Sequence, residues 1–367
     1  MDLSHIGAEI RRQRVGYGFS ANDLAGLAGI SPARLAAIEA GTAPSTWEIF
    51  ALAGALASDP AALWRGEANK SIKRSTARFR APQGVNTISP RDARLLAQCA
   101  ELGRLVQHLR DALDDPPSPV VAARDVLPVD PQLEPWDHGY RLGVQARKRL
   151  WPERATIISL EDCFEQLGIH IAWVEFEAND VLAASLYEPG AAPVIALNLS
   201  AGRVQQTLSR RAVLAHELCH LLHDGGEADL LTLISRPNEQ KPYEQRANGF
   251  APSFLAPGGW LDLEVADPRS FVLGIAQRWG LSFEGAAWHA KNAGRIMPEQ
   301  AEELVASPQA VPTNSFDIKQ PRREPASLGV DVVPSPLTQG LLAEVTLRAL
   351  EAELITKGRA AEILTLR

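Results

Sequence analysis

The sequence predicts a multidomain protein: an all-α N-terminal domain, then an α+β domain, then a short helical C-terminal module. Residues 1–66 consist almost entirely of short amphipathic helix patterns separated by tight breaks. Three strand-like runs stand between helical patterns within residues 136–297, which is typical of an α+β domain. Stretches at 115–135 and 298–335, rich in proline, read as linkers. The length of 367 residues fits two or three domains.

The N-terminal domain contains a helix-turn-helix pattern in SANDLAGLAGISPARLAAIEAG, residues 20–41. Gly29 follows the first apolar periodic segment, where a helix C-terminal glycine is expected. Ser31 and Pro32 then begin the next helix with an N-cap and a proline at its first position. The second helix of such a unit enters the major groove of DNA. Ser31 and Arg34 are therefore candidate DNA contacts.

Residues 67–88 read as a basic linker. Lys70, Lys73, Arg74 and Arg78 lie in a run that holds no acidic residue. The whole chain has a net charge of −7, which excludes a uniformly basic surface, so any nucleic-acid contact must come from a local patch. We expect this run to contact DNA phosphates, which contribute affinity without sequence information. The alternative is a plain solvated linker.

Residues 89–114 predict one long helix with an apolar seam. Leu95, Cys99, Leu102, Val106 and Leu109 recur in steps of four and three, as in a coiled coil. One interpretation is a homodimer formed through this seam. The other is an ordinary helix packed against a neighbouring domain. The C-terminal module at 336–367 predicts two short helices with a glycine between them.

The compartment is predicted from cysteine content and from apolar runs. Cys99, Cys163 and Cys219 are odd in number and widely spaced, so no disulfide framework is indicated. The N-terminus has no apolar signal-peptide core, and no run approaches the ~18 apolar residues of a membrane span. We therefore expect a cytoplasmic protein with no membrane partner.

A metal-binding pattern lies in VLAHELCHLLHD, residues 213–224. His216 and His220 are one helical turn apart, so both imidazoles can hold one Zn²⁺ ion. Glu217 points to the side and can act as general base on a metal-bound water. A polar cluster on such an apolar helix would be costly to bury without a shared ion. The pattern therefore predicts a zinc site, with Mn²⁺ as another possible metal.

A catalytic zinc ion needs a third protein ligand. Glu244 is the preferred candidate because it begins a segment that turns helical, and Glu227 and Glu239 are rivals on looser segments. His223 shares the helix face but lies too far along the axis for the same ion, so we read it as a supporting residue. Cys219 is read as a packing residue.

The metal segment resembles the ImmA/IrrE family of metallo-endopeptidases. RRAVLAHELCHLLH and YEQRANGFAPSFLAP match its H-E-x-x-H and E-x-x-A-N-x-F-A-x-x-L-x-P patterns. The matching positions are His216, Glu217, His220, Glu244, Ala247, Asn248, Phe250, Ala251, Leu255 and Pro257. Pro252 departs from the small or apolar residue usual there. The resemblance covers roughly residues 136–297. It implies a zincin-like fold, a divalent metal and cleavage of a partner transcriptional repressor.

The N-terminal domain resembles the Xre type of phage-repressor helix-turn-helix. DLAGLAGISPARLAAIEAG matches its A-x-x-x-G-I-S…I-E-x-G skeleton. Ala21 and Pro32 stand where glutamines are usual, and Ala36 and Ala37 replace polar residues of the reading helix. The resemblance implies duplex DNA as a partner, although this helix offers few groups for reading bases.

Together these features predict a DNA-binding regulatory zinc metallo-endopeptidase that cleaves a partner repressor or itself. One alternative is a non-proteolytic Xre regulator whose zincin domain senses a metal, a peptide or a partner. Another is an antitoxin-like interaction protein. The intact Glu217 favours the enzyme.

Overall fold

The structure is a computed structural model of the chain. It describes residues 4–16, 19–56, 58, 60–65, 89–151, 156–177, 181–224, 242–258, 264–317 and 322–366. Within these ranges no helix is both long and apolar enough to cross a membrane. The predicted basic linker, with Lys70, Lys73, Arg74 and Arg78, falls outside the described residues.

The N-terminal domain is built of short capped helices around a buried apolar core. They are α1 Ser4–Gly16, α2 Ala21–Ala28, α3 Pro32–Glu39, α4 Thr46–Ala55 and α5 Pro60–Arg65. The Ser20 hydroxyl accepts a hydrogen bond from the Asp23 amide and caps α2. Gly29 follows α2 at φ 67°, a left-handed conformation that favours glycine. The Ser31 hydroxyl caps α3, so helix, turn and helix follow the predicted pattern.

The long helix predicted at 89–114 is α6 Pro90–Ala112, and its seam packs inside the chain. Cys99, Leu102 and Val106 are buried among residues of the sheet and of a C-terminal helix. A face already covered by its own chain is not free for a second copy. The seam therefore corresponds to the packed-helix interpretation, and it lends no support to a homodimer. Helix α7, Pro119–Ala122, follows within the predicted linker at 115–135.

The three predicted strand runs form one small sheet in the order β1-β3-β2. The strands are β1 His170–Val174, β2 Ala183–Leu186 and β3 Val194–Asn198. β1 is parallel to β3 and β2 is antiparallel to it, with His170 opposite Val194 and Ala183 opposite Leu197. At the outer edge of β1, the Trp173 amide donates a hydrogen bond to the carbonyl oxygen of Pro336 in the C-terminal part of the chain. β2 forms the other edge, beside the helix that carries the metal pattern.

Helices around the sheet position the metal pattern. They are α8 Pro135–Leu150, α9 Leu160–Gln166, α10 Gly202–Gln205, α11 Thr207–His223 and α12 Pro242–Leu255. α8 packs closely on α12 because glycines remove side chains from the contact. A Cβ on Gly139 would lie 1.8 Å from the Arg246 carbonyl oxygen, and one on Gly143 would lie 2.0 Å from Ser253 Oγ. Helix α12 continues through Pro252 to its end at Leu255.

The C-terminal part differs from the prediction in two places. Its elements are α13 Pro268–Trp279, α14 Phe283–Asn292, α15 Pro298–Ala306, a 3₁₀ turn Pro325–Leu328, α16 Leu341–Glu351 and α17 Lys357–Leu364. The segment 298–335, predicted as an extended linker, begins with α15, which buries Ala301 and Leu304. Gly358 lies inside α17, so the break between the last helices precedes it. The 336–367 module packs on α6 and shares its apolar cluster.

Candidate metal centre

The structure brings His216, His220 and Glu244 together. The histidines lie one turn apart on α11, and Glu244 lies in the first turn of α12. The Nε2 atom of His216 is 3.2 Å from Glu244 Oε2, and the Nε2 atom of His220 is 3.8 Å from Glu244 Oε1. One potential ligand atom from each residue lies within 4.8 Å of the others. Residues far apart in sequence thus converge on one point.

Both imidazoles are oriented by acceptors on the side away from Glu244. The Nδ1 atom of His216 is 3.0 Å from Asn248 Oδ1, and the Nδ1 atom of His220 is 2.5 Å from Asp224 Oδ2. An oxygen acceptor at Nδ1 selects the tautomer that has its proton there. The lone pairs of both Nε2 atoms then face the common point, as metal ligation requires.

Asp224 also joins a buried polar network that sequence reasoning missed. Its other carboxylate oxygen accepts a hydrogen bond from Arg246, which in turn donates to the Leu127 carbonyl. Arg124 donates to the Asp224 carbonyl oxygen at 2.5 Å. The signal was present in the spacing, because Asp224 lies four residues after His220. Asn248, four residues after Glu244, was noted for its match to the family pattern but not for this contact.

The donor set fits a small divalent cation. His216, His220 and Glu244 are each at most 4% exposed. Among the described residues, His220 Nε2 and Glu244 Oε1 have no hydrogen-bond partner, a costly arrangement for buried polar atoms. Burial lowers the pKa of His216 and favours its neutral, ligating form. Burial also lowers the pKa of His220, but Asp224 and nearby carboxylates outweigh it and raise that pKa to about 9. A cation would therefore compete with a proton at His220.

Comparisons with known proteins agree with this geometry. Residues 164–289 match the IrrE N-terminal-like domain, Peptidase_M78, and residues 10–63 match a helix-turn-helix family, HTH_3. The chain is thus similar to helix-turn-helix domains in its N-terminal part and to IrrE N-terminal-like domains over residues 164–289. Neither the search of curated proteins nor that of solved structures found a match. The matched segments support a DNA-binding regulator and a metallopeptidase-like domain.

Within the matched segment 164–289, Glu217 is fully buried. Neither of its carboxylate oxygens has a hydrogen-bond partner of normal geometry among the described residues. Burial raises the pKa of Glu217 to about 8, and the nearby His220 and the Ser185 hydroxyl offset only part of this effect. A cation held by the neighbouring ligands would favour the carboxylate form. The predicted base is thus beside the ligand cluster.

A cleft of about 400 Å³ begins at His216 and Glu244. It runs between α11, α12 and α14, with Trp136 of α8 at one side. Its lining includes His289, whose Nδ1 accepts from the Tyr140 hydroxyl at 3.1 Å and whose Nε2 donates to the Ala256 carbonyl. Burial lowers the pKa of His289 to about 4. His289 is therefore neutral, and we read it as part of the cleft wall rather than as a base.

Among the described residues, His223 and Cys219 stand outside the ligand cluster, as the sequence predicted. His223 Nδ1 is 2.9 Å from the carbonyl oxygen of Asp125, in a contact that fixes α11 to the preceding segment. Cys219 is fully buried, and burial holds its pKa well above the usual value, as expected of a packing residue. Glu227 and Glu239 fall outside the described residues.

The described DNA candidates of the helix-turn-helix domain have structural contacts. Arg34 forms paired hydrogen bonds with Glu48 at 2.6 and 2.8 Å and also donates to the Ala43 carbonyl. These contacts lower the pKa of Glu48 to about 2, chiefly through Arg34. The Ser31 hydroxyl accepts from the Arg34 amide at 3.1 Å. Both residues stabilise the start of α3. The ion pair between Arg34 and Glu48 could not be predicted from the sequence.

Proposed function

We propose that this protein is a cytoplasmic, DNA-binding regulatory zinc metallo-endopeptidase that cleaves a partner transcriptional repressor or its own chain. The convergence of His216, His220 and Glu244 on one point carries the proposal. Two imidazoles and one carboxylate are the protein ligands of thermolysin-like catalytic zinc, which keeps one position open. A structural zinc site is normally closed by four protein ligands.

The roles of the chain's own residues follow from their positions. Bound zinc, or Mn²⁺ in its place, supplies Lewis acidity and makes deprotonation of water accessible at neutral pH. Asn248 and Asp224 hold the two histidines in the ligating tautomer. Glu217 accepts the proton of the attacking water and donates it to the leaving amine. The carbonyl carbon gains the water oxygen, and the carbon–nitrogen bond breaks. General acid–base help of this kind contributes about 10²–10⁴-fold to rate.

A non-proteolytic sensor is the second candidate function. The observation that favours it is the complete burial of Glu217, which does not line the cleft beside the ligands and so has no exposed path to a substrate there. In that case the domain would bind metal, peptide or partner without turnover. The antitoxin-like interaction protein would likewise lack turnover.

We also propose that the helix-turn-helix domain binds duplex DNA mainly through phosphates. The charged side chains of α3 are engaged within the domain: Arg34 with Glu48, and Glu39 with Arg14 at 2.6 Å. Alanines take up much of the remaining surface of α3, and base reading needs free donors and acceptors. The basic run that begins at Lys70 would then supply the phosphate contacts. A homodimer on two half-sites remains a prediction.

The proposed peptidase is tested with the wild type and two glutamate variants. Each protein is loaded with zinc and incubated with repressor-type proteins, and products are identified by mass spectrometry. We expect fragments with the wild type and with Glu302→Gln, a change at an exposed position of α15, but not with Glu217→Gln. Elemental analysis should find about one zinc ion per chain in all three proteins, and none in His216→Ala.

The outcomes separate the two candidate functions. Cleavage by Glu217→Gln at the wild-type rate would reveal a contaminating protease. Full metal occupancy without cleavage of any repressor-type protein would favour the sensor. Normal zinc content in His216→Ala would refute the site itself.

A further inference from the structure

The cleft at the metal ligands follows one face of α11. Ser209, Ala212, Val213 and His216 all line it. Their spacing of three, four and seven residues places them on the same side of a helix. The cleft therefore extends from His216 toward the start of α11, away from Glu217, which is not among its lining residues.

Small residues on the facing helices create the space. Ala251 of α12 and Gly285 of α14 line the cleft opposite α11. Gly249 allows α8 to approach α12 closely, so that Trp136 lines the cleft. A Cβ on Gly249 would lie 2.1 Å from the Trp136 carbonyl oxygen. Larger side chains at these positions would reduce the cavity.

More of the surface that lines the cleft is apolar than polar. Trp136, which is 38% exposed, and the half-buried Trp288 present aromatic surface, and Leu281 adds aliphatic surface. Its formally charged members are the ligand Glu244 and the exposed Arg203 of α10. The uncharged polar side chains Ser209, Asn248, Ser282 and Asn292 complete the lining, so the preference for an apolar side chain depends on contact with the two tryptophans and Leu281.

We propose that this cleft is a specificity pocket for a bulky apolar, preferably aromatic, side chain of the polypeptide substrate. The side chain would belong to a residue next to the scissile bond, because the ligands His216 and Glu244 themselves line the cleft. This inference rests on the proposed peptidase function and adds the class of substrate to it. The expected substrate segment presents an aromatic or large aliphatic residue at the cut, not an acidic one.

Binding measured without turnover tests the pocket directly. Peptide hydroxamates that differ only in one side chain, phenylalanine, alanine or aspartate, anchor on zinc and are not hydrolysed. Their dissociation constants for the zinc-loaded wild type are measured by calorimetry. We expect the phenylalanine compound to bind at least about 10-fold more tightly than the alanine compound, and the aspartate compound to bind most weakly.

Variants then place the preference in this cleft. Ala212 is exposed on α11, so Ala212→Leu narrows the pocket with little risk to the fold. It should remove the advantage of the phenylalanine compound and leave zinc content and alanine-compound affinity unchanged. Gly285→Leu narrows the opposite wall and should act in the same way. Ala8→Leu, at an exposed position of α1, is the matched control and should behave as the wild type.

The test keeps the pocket and the peptidase apart. Equal affinities for the three compounds, or a preference that survives both narrowing variants, would overturn the pocket assignment. A preference that both variants abolish, in a protein that cleaves nothing, would support the pocket and count against the proposed turnover. In an active enzyme, cut sites in a degenerate peptide library should show the same aromatic preference.

Discussion

Asp224→Asn should weaken zinc binding about 10- to 100-fold, the usual effect of losing a group that orients a metal ligand. In the structure one carboxylate oxygen of Asp224 is 2.5 Å from His220 Nδ1, and the other accepts from Arg246. Asparagine has one acceptor oxygen and one amide donor. Either His220 or the buried Arg246 must then face that donor, so the imidazole loses its fixed orientation or a guanidinium loses its partner.

The expected loss corresponds to about 1.4–2.8 kcal/mol, at about 1.4 kcal/mol per factor of ten. It is measured by titrating zinc against a chelator of known affinity. Asp331→Asn is the control, because Asp331 is exposed and lies outside the network. Circular dichroism of the metal-free proteins checks that the fold is retained. Unchanged zinc affinity in a folded Asp224→Asn protein would refute the orienting role.

Three further predictions concern stability. Gly139→Ala should lower the melting temperature and the zinc content together, since its Cβ would lie 1.8 Å from the Arg246 carbonyl oxygen; a wild-type melting curve would contradict this. Burial lowers the pKa of His170 to about 4. Below pH 6.5 the unfolded state therefore binds a proton that the folded state does not bind, and the stability decreases as the pH is lowered. Between pH 7 and pH 5 the free energy of unfolding, measured by denaturant titration, should decrease by about 2 kcal/mol more in the wild type than in His170→Gln. Arg34→Ala breaks the Glu48 pair, so it should lower the melting temperature and leave DNA affinity, measured by fluorescence anisotropy, nearly unchanged.

Local sequence signals predicted much of the fold. The spacing of His216 and His220 fixes their relative position on any α-helix, so this part of the site needed no tertiary information. The three β-rich runs and the caps around Gly29 and Ser31 are equally local. Glu244 lay within reach of sequence because it begins a helical segment that matches a family pattern.

Features that depend on packing between distant segments could not be predicted. The partner of Arg34 comes from α4, and the walls of the cleft come from helices as far apart in sequence as Trp136 of α8 and Asn292 of α14. Likewise, periodicity shows that α6 has an apolar face but not what covers it. The helix α15 was missed because prolines and charges outweighed its short amphipathic pattern.

The packing of α6 bears on how the two modules are related. Alternate side chains of β3 point to opposite faces of the sheet: Ile195 and Leu197 join the core that contains α11, whereas Val194 and Ala196 join the cluster of α6. Apolar residues of the N-terminal helices belong to that second cluster too. The sheet thus separates α11, which packs on one face, from α6, which packs on the other face and also contacts the helix-turn-helix domain. A separated segment 164–289 that lacked α6 would expose the second face of its sheet to water, so metal binding and DNA binding should be measured in the full chain.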